Sequence, residues 1–289
     1  MPSRRLAPLV AISVLLAACG SEVAGSLPTT ASTPAITAAE SAGTVPPDGQ
    51  SVRLVRVLDG DSIEVDLLGA TVEVRLVGIN APEHDECHGD AARDALTDYL
   101  DDKTLTLVAA GAEDTDRFGR LLRYVYADGS PVAEEMLTSG HANSLHGDHR
   151  REDAFVALTD GAARAELGMW RRDVCGPQLA ATARITTVEY DPRGPDRETA
   201  AQEYVAITNA AEAPLDLTDW IVRDESSQHR FRFPPTTLAP GASLRLRSGC
   251  GDDGSDNLYW CVGDAVWSNG GDTVLLQDPH GNVVDRVLY

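Results

Sequence analysis

The 289-residue chain carries 24 Lys and Arg against 45 Asp and Glu, for a formal net charge of −21. That length accommodates two modest domains, and the charge excludes the broad basic footprint on which most nucleic-acid binders rely. Any grip on an anionic polymer must therefore be local and sensitive to salt.

Taken in chain order, Arg4 and Arg5 precede an apolar run from Leu6 to Ala18. Thirteen residues at a helical rise of about 1.5 Å each fall short of a ~30 Å hydrocarbon core, so the run reads as an export signal rather than a spanning helix. It ends in Leu16-Ala17-Ala18-Cys19, which resembles a bacterial lipobox. The resemblance implies that residues 1–19 form a lipoprotein signal, with Cys19 lipidated at the mature N-terminus. The chain would then be exported and lipid-anchored on the extracytoplasmic side of a membrane without a transmembrane helix. Residues 20–50 are rich in Ser, Thr, Ala, Pro and Gly and lack apolar periodicity, as expected of a disordered tether.

Residues 52–76 hold three runs of period-two alternation, around Val55–Val57, Ile63–Leu67 and Val72–Leu76, separated by turn signals at Asp59-Gly60 and Leu68-Gly69. They predict strands with one buried face. Ala91, Ala92, Ala95, Leu96, Tyr99 and Leu100 recur at helical spacing and predict a helix from Asp90. Strands are expected at Thr104–Val108 and Leu121–Tyr126, and helices at Pro131–Thr138 and Glu152–Leu167. Five strands with about three helices in residues 51–176 suit a small barrel of the oligonucleotide-binding type. From Ile185 onward, short apolar runs alternate with turn residues and no helical period stands out. This predicts an all-β, immunoglobulin-like sandwich over residues 183–289. Trp220, Trp260 and Trp267 are expected in its core.

Five cysteines fit an exported protein. With Cys19 set aside, four cysteines allow three pairings. Cys87–Cys175 and Cys250–Cys261 are favoured because each bridge stays within one expected domain. The absence of any Cys-x-x-Cys pair argues against a cysteine metal site.

Residues 52–170 resemble the staphylococcal nuclease (thermonuclease) family. The matching pieces are Asp59-Gly60-Asp61, Arg75 with Pro82-Glu83, Asp116-Arg117-Phe118-Gly119-Arg120, Tyr124-x-Tyr126-Ala127-Asp128-Gly129 and Gly168-Met169-Trp170. The resemblance implies a Ca²⁺-dependent endonuclease acting on DNA and/or RNA. Asp61, Asn80 and the Ala81 carbonyl would hold calcium, Glu83 would be the general base, and Arg75 and Arg120 would grip the scissile phosphate. Asp116 and Arg117 would shape the loop carrying Arg120. Asn80 departs from the pattern, since the family carries a second aspartate there. An amide oxygen still ligates calcium, but one negative charge is gone. A second departure is the lack of tyrosine in His141–His149, where the family stacks bases. His141, His146 and His149 are more readily loop histidines than metal ligands.

Residues 183–289 resemble the lamin-tail domain, through Ile185-x-x-Val188-x-Tyr190, Glu203-Tyr204-Val205-x-Ile207-x-Asn209, Leu215-x-Leu217-x-x-Trp220 and Trp267-x-Asn269-x-Gly271-Asp272. A monomer with nucleic acid as substrate is expected. The alternative is a non-catalytic module that keeps the nuclease fold and binds nucleic acid or envelope.

Overall fold

The computed structural model describes residues 49–147, 149–179, 182–226 and 228–289. The expected signal, Cys19 and nearly all of the tether lie outside them. Among the described residues no helix is long and apolar enough to cross a membrane.

The first domain opens with a three-stranded meander, β1 (Gln50–Val57), β2 (Ser62–Leu67) and β3 (Ala70–Leu76). The alternating sequence buries Ile63, Val65, Val74 and Leu76 on one face. A two-residue strand β4 (Ile79–Asn80) leads through a loop to helix α1 (Gly89–Leu100), which buries Ala92, Leu96 and Leu100. Then follow β5 (Leu105–Ala109), β6 (Leu121–Ala127), β7 (Ser130–Pro131), α2 (Val132–Thr138), β8 (Asn143–Ser144), α3 (Glu152–Arg164) and a 3₁₀ turn at Gly168–Trp170.

Strand order β3-β2-β1-β5-β6 is closed by a parallel β3–β6 pairing, giving a five-stranded barrel. Closure removes the free sheet edges. The expected helices form at nearly the expected positions, except that α3 stops at Arg164, three residues early, and Pro131 caps α2 rather than entering it. The β4–β8 pair sits between Asn80 and Asn143. Two residues are too few to register as an alternating run, so neither strand was foreseen.

The second domain comprises β9 (Ala183–Glu189), a single turn α4 (Asp196–Thr199), β10 (Tyr204–Asn209), β11 (Leu215–Asp216), β12 (Ile221–Arg223), β13 (Arg230–Arg232), β14 (Thr237–Leu238), β15 (Ser243–Arg247), β16 (Asn257–Tyr259), β17 (Thr273–Gln277) and β18 (Val283–Leu288). Two four-stranded sheets, β16-β15-β10-β9 and β13-β12-β17-β18, enclose a core that includes Val205, Ile207, Trp220, Val222, Phe233, Trp267 and Leu276. Trp260 packs edge-on against Phe231 and Trp267, so all three sandwich tryptophans serve the core. The α4 turn is a departure from the all-β expectation, too short to leave a helical period.

Both favoured disulfides are present, Cys87–Cys175 and Cys250–Cys261. The two domains are packed together. Leu275 of β17 is buried with Ala162, Met169 and Trp170 of the first domain. Arg286 reaches Asp160 at 2.7 Å, and Asn143 Nδ2 donates to the Glu225 carbonyl at 3.0 Å.

Candidate active site

The β1–β2 turn, the end of β3, β4 and the loop before β6 converge at one end of the barrel. The turn is set by Asp59, whose Oδ1 accepts the Asp61 N–H at 2.8 Å. Gly60 is required there, because a Cβ would stand 2.6 Å from Ala81 Cβ and 2.7 Å from Ala92 Cβ. That close approach brings the β4 segment and α1 onto the turn and buries Asp61.

The Asp61 carboxylate is fully engaged. Oδ1 accepts from Ser62 Oγ at 2.9 Å, and Oδ2 accepts from Ala81 N–H at 2.8 Å and meets Arg75 Nη2 at 3.0 Å. Burial pushes its carboxyl up to about 6, against the lowering pull of Arg75 and these hydrogen bonds and with Asp59 adding to the rise. The same Arg75 Nη2 donates to Asn80 Oδ1 at 3.3 Å, and Nη1 donates to the Leu76 carbonyl at 2.6 Å. Arg75 is therefore the hub between Asp61 and Asn80.

Arg120 is held on two edges. Nε donates to Asp116 Oδ2 at 2.7 Å, and Nη1 donates to Ser62 Oγ at 3.3 Å. Asp116 Oδ1 also accepts the backbone N–H groups of Phe118 (2.9 Å) and Arg120 (3.0 Å). Burial would raise the Asp116 carboxyl, but the Arg120 side chain and these amides outweigh it and hold it low. Asp116 thus builds the turn that aims Arg120. Ser62 was not singled out from sequence, yet its buried hydroxyl joins Asp61 to Arg120. The signal available was a hydroxyl directly after the Asp-Gly-Asp turn, on the first residue of a strand.

Glu83 differs from these groups. It is solvent-exposed, on the loop between β4 and α1. Its carbonyl accepts the Glu86 N–H at 2.9 Å, and its own N–H donates to Glu86 Oε2 at 3.0 Å. Gly89 is needed to close this loop, since a Cβ there would fall 1.9 Å from the Glu83 carbonyl oxygen.

The oxygens of Asp61 and Asn80, joined through Arg75 Nη2, are hard donors of the type that suits a group-two cation more than zinc or copper. Among the described residues no group of three or more His, Cys, Asp or Glu converges as a metal cage. The three loop histidines are engaged separately. His141 Nδ1 meets His88 Nε2 at 3.0 Å, His146 Nδ1 meets Glu225 Oε2 at 2.6 Å, and His149 Nε2 meets the Leu145 carbonyl at 3.1 Å.

Comparison with known proteins matches residues 73–172 to the staphylococcal nuclease homologue family and residues 178–289 to the lamin tail domain. A protein described as an uncharacterized endonuclease of Escherichia coli O157:H7 is 35% identical over 119 residues, covering 41% of this chain and 75% of that one. The micrococcal nuclease of Shigella flexneri is 39% identical over 74 residues, 26% of this chain and 41% of it. Endonuclease YncB of Bacillus subtilis is 30% identical over 136 residues, 42% of this chain and 62% of it.

Proposed function

Because the chain belongs to the family of staphylococcal nuclease homologues and carries a lamin tail domain behind that match, we propose that it is a calcium-dependent endonuclease hydrolysing the phosphodiester bonds of DNA and/or RNA outside the cytoplasm. The family match and the endonuclease relatives establish the coarser statement, a nuclease and hydrolase. A lipid on Cys19 would tie a monomeric enzyme to the extracytoplasmic face of a membrane.

One observation carries the mechanism. A continuous set of polar contacts, Asn80–Arg75–Asp61–Ser62–Arg120–Asp116, gathers groups from three separate segments around one buried carboxylate. Both arginines are oriented by neighbours before substrate arrives, and such preorganised donors stabilise charge growing on phosphate oxygens without further reorganisation. Glu83, the exposed carboxylate on the adjoining loop, takes the proton of the attacking water. Asp61, Asn80 and the Ala81 carbonyl would hold calcium. When bound, that ion neutralises phosphate charge and acidifies water. With Asn in place of a second carboxylate, these residues would hold calcium more weakly than two carboxylates would.

The test is plasmid cleavage at millimolar Ca²⁺ against chelator. The unaltered protein cuts only with calcium, while Glu83→Gln and Arg120→Ala variants lose roughly 10²–10⁴-fold in rate. Equal cutting by all three, or none by the unaltered protein, defeats the proposal.

A further inference from the structure

Glu86 stands three residues after Glu83 on the same loop, and its side chain is only 13% exposed. Two arginines of the lamin tail domain close on it. Arg223, at the end of β12 and 2% exposed, places Nη1 at 3.4 Å from Glu86 Oε2, and Arg230, at the start of β13, pairs with Glu86 Oε1. The Arg223 guanidinium is fixed by donation to the Asp224 carbonyl at 3.2 Å and the Ser226 carbonyl at 3.0 Å. Glu86 Oε2 is the same atom that accepts the Glu83 N–H. The Glu83 charge also acts on both arginines.

The next residue is anchored by the same domain. Cys87 is bonded to Cys175, the Cys175 N–H donates to Asn282 Oδ1 at 2.9 Å, and Asn282 Nδ2 donates to the Gly176 carbonyl at 3.0 Å. Asn282 lies in the β17–β18 turn. Between these two anchors runs a cleft of about 230 Å³, lined by Pro82, Asp85, Glu86, Arg223, Arg230 and His280 among others. Pro82 directly precedes Glu83.

Resting on the reading of Glu83 as the base, we propose that the lamin tail domain is a working part of the nuclease site: Arg223 and Arg230 hold the Glu86 carboxylate, and Glu86 fixes the loop that carries Glu83. Glu86 and Arg230 are positioning residues. An exposed ion pair would contribute little. Here the carboxylate is largely buried and one arginine almost wholly so, and breaking such a set leaves an uncompensated charge next to the loop. A loop released from that hold displaces the base, and small displacements of a catalytic group are costly in rate.

The experiment uses the full chain with saturating Ca²⁺ and a double-stranded DNA substrate. Arg230→Met and Glu86→Ala are expected to lower kcat about tenfold, with KM and calcium affinity held, measured well below the melting temperature that each variant lowers. Arg230→Lys and Glu86→Gln, which keep the charge or the acceptor oxygen, recover most of the loss. On a Glu83→Gln background, Arg230→Met costs nothing further. Hydrogen exchange of the Glu83 amide is read alongside, and accelerates in Arg230→Met and Glu86→Ala. Unchanged exchange overturns the inference whether or not the protein cuts. So does full kcat in both variants, or a tenfold loss that persists without Glu83. A Glu83→Gln variant that cuts at full rate, with exchange at residue 83 still accelerated by Arg230→Met, keeps the positioning contact and defeats the assignment of the base instead.

Discussion

The two halves of the site are built in different ways. The half containing Asp61, Ser62, Arg75, Asn80 and Arg120 is held at the rim of the barrel by hydrogen bonds between neighbouring strands and turns. The half containing Glu83 is an exposed loop whose anchors, a disulfide and two arginines, connect it to the C-terminal end of its own domain and to the next domain. A barrel closed at β3–β6 can organise charges along its rim. It has no strand to offer a loop that leaves the sheet, so that loop takes its rigidity from elsewhere.

The comparison breaks most visibly if chemistry does not need both halves. Glu83→Gln and Arg120→Ala each lower cleavage by roughly 10²–10⁴-fold, measured as single-turnover rates. A large loss from one alone would mean that the halves do not cooperate. Next in size is the covalent anchor. Replacing both Cys87 and Cys175 by Ser removes a bridge spanning 88 residues, and costs about 2–4 kcal/mol in denaturant unfolding. The calcium Kd at the barrel rim should change little, and a large change there would show that the rim is not self-sufficient.

The rim half is sharpened by Asn80→Asp. The added carboxylate faces Arg75 and the Asp61 site and should tighten calcium about tenfold, read by calorimetry. An unchanged affinity would exclude Asn80 from the ion.

The smallest effect concerns the domain contact that the loop half depends on. Burial pushes the Asp272 carboxyl up to about 7, helped by the charges of Glu225 and Asp224. His146 is raised chiefly by its hydrogen bond to Glu225, and His229 by its bond to Asp224. Glu203 and Tyr289 adjoin the same cluster. A carboxyl raised on folding loses its stabilising contribution as pH climbs from 3.8 to about 7. A histidine raised on folding keeps its contribution below 6.5 and loses it as pH climbs through the raised value. Both signs agree, so melting temperature should fall between pH 6.5 and pH 8.5, above the range in which His88 and His141, lowered by burial, act in the opposite direction. Asp272→Asn should flatten the slope, and a Tm that rises over this range would contradict the assignment.

Much of this was legible in the chain. Period-two alternation in residues 52–76 and helical spacing after Asp90 specify the barrel, because each side chain's face follows from its position along a strand or helix. Asp59-Gly60-Asp61, Arg75 and Asp116 to Arg120 could be named as one constellation, since each sits at the end of a readable element. The pairing of the four cysteines followed from domain boundaries alone. Glu86, Arg223 and Arg230 could not be read in this way. Glu86 and Arg223 are 137 residues apart, and no local period or motif encodes a contact at that distance. Nor does the sequence tell that Arg75 bridges Asp61 and Asn80, a contact made only when the strands and the turn come together. Sequence by itself determined the elements, the family and the chemical types at the site, because those depend on local spacing. Only the tertiary structure decided which charges meet, because burial against a second domain is what turns an ordinary loop carboxylate into a clamp.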